Sequence, residues 1–164
     1  VRVSLINSSR ADLTFDQARR FYQEDILSFR PDIVFIMLGM VDAGQTQTYF
    51  SMFQESISGY FNLLKREESL VIVLTPPGYD ESGRKEGLQE RLDEFCEEIV
   101  RQSRISHFPV IDVARRMNDL WTGNRERHRR LFSGRAYLSD EGHEFIADYI
   151  MTTIRRTVEQ AGGD

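Results

Sequence analysis

An alternating α/β fold built on a parallel sheet is predicted by two regularities in the 164-residue chain. Short β-branched apolar runs recur along it, each followed by turn residues, as buried parallel strands would be. Between and after them lie longer stretches whose apolar residues return every three or four positions. Such alternation places helices on both faces of the sheet and ligands at the carboxyl ends of its strands.

In chain order, residues 1–6 (VRVSLI) read as the first strand. Thr14 and Gln17 then make a capping-box pair. Behind it, Ala18, Phe21, Tyr22, Ile26 and Phe29 form one apolar helix face that Pro31 stops. Residues 33–38 are the second strand, and Phe50, Phe53, Ile57, Phe61 and Leu64 mark the second helix. Residues 70–75 are the third strand. The Pro76-Pro77-Gly78 turn and the polar stretch 80–85 after it read as a loop, close to where a site would sit. Leu88, Leu92, Phe95, Ile99 and Val100 mark the third helix, residues 110–113 the fourth strand, and Ile146, Tyr149, Ile150, Thr153 and Ile154 the last helix.

With 40% hydrophobic and 29% charged residues, the chain has the size and composition of one domain, spanning 1–164, with a real core. Its longest apolar run, residues 33–40, is far too short to cross a bilayer, and the sequence opens without a signal-peptide n-region or h-region. The net charge of -5 argues against a protein that coats nucleic acid with its whole surface. The lone cysteine, Cys96, shares helical spacing with Leu92, Phe95 and Ile99 and reads as a buried structural thiol. His107, His128 and His143 lack metal-ligand spacing, and no Gly-rich phosphate loop occurs, so no cofactor or metal is expected.

Three segments resemble blocks of the SGNH hydrolases, also called GDSL esterases and lipases. PDIVFIMLGMVD, residues 31–42, is similar to the block in which a strand ends in Gly-x-Asn-Asp. NSSRADLT, residues 7–14, is similar to the block that carries an Asn and then a Gly. FSGRAYLSDEGHEFIADYI, residues 132–150, is similar to the block in which Asp-x-x-His precedes the C-terminal helix. Spacing between the blocks agrees as well as composition. The resemblance implies a three-layer α/β/α, flavodoxin-like SGNH fold whose central strand bears Gly-Asp-Ser. Only four of that family's five strands are recognisable here, matching the second to the fifth. A sheet without its central strand would leave unpaired backbone groups. The strand is therefore expected from an upstream segment of the same polypeptide, from another chain, or through a rearranged sheet.

What the resemblance implies chemically is a Ser nucleophile, an oxyanion held by a Gly N–H and an Asn side chain, and a His base oriented by an Asp. Mapped onto this sequence, the Gly falls on Asp12 and the Asn on Val41, while Gly39 and Asp42 are kept. A valine donates no hydrogen bond, and an inward carboxylate at Asp12 would repel an oxyanion. Losing one such donor typically lowers turnover by about 10²- to 10³-fold. The last block admits two registers. In one, the Asp and His positions fall on Gly134 and Tyr137, Ser139 caps the last helix, and Asp140 and Glu141 sit at its positive end. In the other, Asp140 and His143 are the acid and base. If the nucleophile's block lay at 7–9 instead, Ser8 or Ser9 would be the nucleophile.

Arg125, Arg127, Arg129, Arg130 and Arg135, with His128 and Trp121 nearby, form the one basic cluster. It reads either as a solvated loop or as a grip for phosphates or an acidic protein surface. The expected function is an SGNH-hydrolase-like domain that is catalytically inactive and serves binding or structure. The alternatives are an active serine esterase, lipase or deacetylase on ester-bearing lipids or glycans, using an upstream Ser with Asp140 and His143, and an RNA-binding SGNH-like domain.

Overall fold

Three parallel strands carry the fold in the computed structural model, which describes residues 2–45 and 50–161. They are β1 (Ile33–Met37), β2 (Leu70–Leu74) and β3 (Val110–Ile111), in the order β1-β2-β3. The register sets Ile33 beside Leu70 and Val73 beside Val110. Helices α1 (Phe15–Asp25), α3 (Phe50–Leu64) and α5 (Leu88–Ser106) cover one face. Their Phe15, Phe53, Phe61, Phe95 and Ile99 bury against Val34, Ile36, Val71 and Val73. On the opposite face, α6 (Val113–Gly123) and α8 (Asp140–Ala161) pack Met117 and Ile146 against Ile72, Leu74 and Ile111. The expected α/β architecture with a parallel sheet is therefore present, with three strands.

Local chemistry explains most element ends. Thr14 Oγ1 accepts from the Gln17 N–H while Gln17 Oε1 accepts from the Thr14 N–H, which completes the capping box of α1. The helix stops at Asp25, before the apolar face expected from sequence ends, and Phe29 falls in a short 3-10 turn where it is exposed. Cys96 is buried as expected, and burial pushes its thiol well above the ordinary range.

Several expectations are corrected. Residues 2–6 form no strand, and Val1 lies outside the described residues. Val3 and Leu5 are 87% and 94% exposed. An apolar alternation becomes a strand only beside a hydrogen-bonding neighbour, and among the described residues none lies next to it. The last parallel strand ends at Ile111 rather than 113, because Asp112 Oδ1 accepts from the Arg115 N–H and starts α6. The stretch 80–85 is not a loop: Asp80 Oδ1 accepts from the Gly83 N–H and caps a short helix, α4 (Glu81–Lys85). Two further short helices, α2 (Met40–Gly44) and α7 (Arg125–Arg130), lie in segments without an apolar period. The sheet is also not covered on both faces along β1, where Ile33, Phe35 and Met37 are between 37% and 51% exposed.

After α7 comes a small antiparallel pair, β4 (Phe132–Gly134) and β5 (Tyr137–Leu138), which leads into α8. Gly142 in the first turn of α8 lies so close to the chain that a Cβ there would collide with the Leu131 carbonyl oxygen. Gly142→Ala is expected to destabilise the fold by about 2 kcal/mol or more through forced backbone movement. Gly123→Ala, where a Cβ meets nothing within 4 Å, should leave the urea midpoint unchanged or raise it slightly.

Candidate functional site

The blocks at residues 7–14 and 31–42 converge at the carboxyl end of β1. The strand runs into Gly39, whose φ of 111° lies in the left-handed region that favours glycine. A Cβ there would stand 2.8 Å from Ile99 Cδ1, with Phe15 and Pro76 next nearest, so α1, α5 and the segment after β2 meet at this backbone. The chain then turns into α2, where Asp42 is buried and its two carboxylate oxygens accept from the Phe15 N–H at 3.3 and 3.2 Å. Burial raises the Asp42 pKa to about 6 against the opposing pull of that N–H. Asp42 therefore ties the end of β1 to the start of α1.

Upstream of α1, the Ser9 N–H donates to Asn7 Oδ1 at 3.0 Å, closing a local turn. Asp12 has a φ of 58° and is solvent-exposed. The backbone thus takes a glycine-type conformation with a carboxylate on it. Val41 is half-buried in α2 and presents only methyl groups.

A network of side chains fixes the segment after β2. The Tyr79 N–H donates to Gln89 Oε1, and Gln89 Nε2 donates to Asp93 Oδ1. Asn118 Nδ2 donates to the same Asp93 oxygen, and Arg84 donates from Nη2 to Asn118 Oδ1 and from Nε to the Tyr79 carbonyl. The loop residue Asp80 donates its N–H to the Arg135 carbonyl at 2.9 Å, joining this segment to the β4–β5 turn. Against the upward pull of burial, the Ser82 hydroxyl and the Gly83 N–H hold the Asp80 carboxyl below its ordinary value.

An open cavity of about 410 Å³ lies at this junction, lined by Asp80, Glu81, Ser82, Arg129, Ser133 and Gly134 among others. Gly134 borders it, and Tyr137, with which Gly134 shares the turn, is exposed. Asp140 and His143 fall instead in the first turns of α8, whose start is capped by Ser139: its Oγ accepts from the Gly142 N–H and donates to the Arg130 carbonyl. His143 is exposed, and among the described residues no hydrogen bond joins it to Asp140, Ser8 or Ser9. The structure does not bring these four into one hydrogen-bonded group.

The five arginines are dispersed on and around α7. Arg129 pairs with Glu81, Arg130 with Glu141 and Arg135 with Glu86. Arg125 lies over the Trp121 ring at 4.6 Å and Arg127 over Phe145 at 5.3 Å. Sequence reasoning missed the role of His128 among them. It is fully buried between Trp121 and Phe132, and neither ring nitrogen has a hydrogen-bond partner among the described residues. Burial, with Arg84 nearby, lowers its pKa to about 4. No signal in a run of arginines marks one histidine as the residue turned inward. Among the described residues there is no cluster of His, Cys, Asp and Glu able to hold a metal ion.

Residues 4–145 match the GDSL-like lipase/acylhydrolase family. The chain belongs to that family. Solved structures of similar fold include a lipase/acylhydrolase from Enterococcus faecalis, 22% identical, with a TM-score of 0.73, covering 89% of this chain and 72% of its own. The acetyl xylan esterase AlAXEase is 18% identical, with a TM-score of 0.77 and coverage of 87% and 77%. Axe2, an acetylxylan esterase from Geobacillus stearothermophilus, is 17% identical, with a TM-score of 0.74 and coverage of 86% and 67%. At these identities the likeness is one of fold. No curated protein matches the sequence.

Two of the buried titratable groups, His128 and Asp42, generate opposite pH dependences. His128 resists protonation when folded, so its contribution is present above pH 6.5 and lost as pH falls toward about 4. Asp42 takes a proton more readily when folded, so its contribution is present below pH 3.8 and lost as pH rises through about 6. His128→Phe should therefore gain stability over the parent by up to about 3 kcal/mol between pH 7 and pH 4. Asp42→Asn should remove the opposing slope, and urea titrations across this range measure both.

Proposed function

We propose that this GDSL-family domain is a pseudoenzyme with a binding or structural role. The observation that carries the reading is the chemistry at four family positions: Asp12, Val41, Gly134 and Tyr137. At Val41 a methyl surface stands in place of a side-chain donor, and at Asp12 the backbone N–H is kept but carries a carboxylate beside it. At the last two, a glycine and a phenol stand in place of the acid and the base, and a phenol does not take up a proton as an imidazole does. Together the changes touch the oxyanion site, the acid and the base, so restoring any one position would leave the others changed.

Two surfaces suit the proposed role. The cavity beside Gly134 has the volume of a small-molecule site and carries both signs of charge, which favours a polar ligand. The edge of β1 pairs with no further strand among the described residues, and it would accept one supplied by an upstream segment or by another chain.

The test is covalent labelling of the natural polypeptide, expressed from its own initiation site, beside the 164-residue form, by a fluorophosphonate serine probe read by intact mass, together with hydrolysis of a p-nitrophenyl acetate reporter. No adduct and no turnover above buffer are expected, and His143→Ala should change neither. An adduct that disappears in His143→Ala would instead establish a working serine hydrolase with Asp140 and His143 in the catalytic positions.

A further inference from the structure

A second open groove, of about 520 Å³, lies between α5 and α6 and shares no residue with the cavity beside Gly134. Its floor is made by Cys96 and Ala114, which are buried, with Val100 half-buried beside them. Charged side chains form the rim. On α5 they follow a set order, with Asp93 and Glu97 before Val100 and Arg101 and Arg104 after it. Positions three, four and seven apart share one helix face, so this stripe runs from an acidic end to a basic end. Across the groove, Asn118 of α6 donates to Asp93 at the acidic end, and Arg115 sits one turn of α6 away from it.

Some of these charges are already answered within the domain. Asp93 Oδ1 accepts from Gln89 Nε2 as well as from Asn118 Nδ2. Asp112 Oδ1, also on the groove, accepts from the Thr75 hydroxyl and the Arg115 N–H. Arg101 makes two bonds, of 2.7 and 2.6 Å, to the buried carboxylate of Glu98. It does so although Glu97 stands at the i,i+4 spacing at which a preceding carboxylate pairs well with an arginine. Glu97 is thereby left without an ion partner among the described residues, and so are Arg104 and Arg115. No rearrangement along α5 answers Glu97 otherwise, because its neighbours one turn back, Asp93 and Glu94, are acidic too.

Glu97 and Arg104 are two turns apart on one face of α5, which sets them about 10 Å from each other along the helix. An extended tripeptide spans about 10 Å from its ammonium to its carboxylate. The geometry points to this groove as a binding site for a short peptide with both termini free, its ammonium on Glu97 and its carboxylate on Arg104 and Arg115. The peptide's side chains would rest on Cys96, Val100 and Ala114. A ligand of a single charge sign suits the site less, because one end of the stripe would repel it. Asp12, Val41, Gly134 and Tyr137 do not line the groove, so the site stands apart from the pseudoenzyme reading.

The experiment is a titration of trialanine into the isotope-labelled natural polypeptide, followed by amide chemical shifts, with N-acetyl-trialanine and trialanine amide alongside. Saturable binding should move the amides of Cys96, Val100 and Ala114 and leave those of Ser133 and Gly134 in place. Capping either terminus should weaken binding about fivefold. In Glu97→Gln the acetyl cap should cost nothing further while the amide cap still does, and the Arg104→Gln, Arg115→Gln double variant should show the converse. All three side chains are exposed, so the variants keep the fold. No saturable binding up to about 10 mM trialanine would overturn the proposal. So would binding indifferent to the caps, cap effects that both variants leave unchanged, or shifts confined to Ser133 and Gly134. None of these results bears on the serine-probe outcome, so the two readings fail separately.

Discussion

The hydrogen bond from the Phe15 N–H to the buried Asp42 carboxylate holds the top of this sheet together. It joins the first residue of α1 to the turn after β1, and Phe15 itself is fully buried against Phe53, Tyr60 and Phe61 with edge-to-face ring contacts. A carboxylate in that position is disfavoured by its surroundings, so the bond must offset a desolvation penalty. The same arrangement orients the Asp12 turn and the Gly39 turn relative to each other, which makes it a structural element whether or not any chemistry follows.

A second constraint is the polar ring from Tyr79 through Gln89, Asp93 and Asn118 to Arg84. Each of its members is satisfied by another, which is the condition under which a partly buried polar network rigidifies a fold. It fixes the segment after β2 between α5 and α6. The bond from Asp80 to Arg135 extends that order to the β4–β5 turn. The segments that follow β2 and α7 are thus held to each other by hydrogen bonds.

Much of this was legible in the sequence where local chemistry decides. Thr14 and Gln17 announce α1, and the apolar spacing of α3, α5 and α8 announces their buried faces. The Gly39 turn and the buried Asp42 lie within residues 31–42, a segment that the sequence singled out. Residues 2–6 misled because alternation specifies a strand's faces but not its neighbours. α4 and α7 were hidden because their caps, Asp80 and Asn124, precede charged rather than apolar runs. The burial of His128 depends on Trp121 and Phe132 closing around it, a tertiary fact that no local pattern encodes.

The backbone at Asp12 bears on how such a domain changes over evolutionary time. A left-handed conformation is disfavoured for a non-glycine residue by roughly 1 kcal/mol, though aspartate tolerates it better than most. A change to glycine would relieve that strain and leave the backbone N–H in place. Selection for foldedness alone therefore favours glycine at this site, so the aspartate is kept against a small stability gradient.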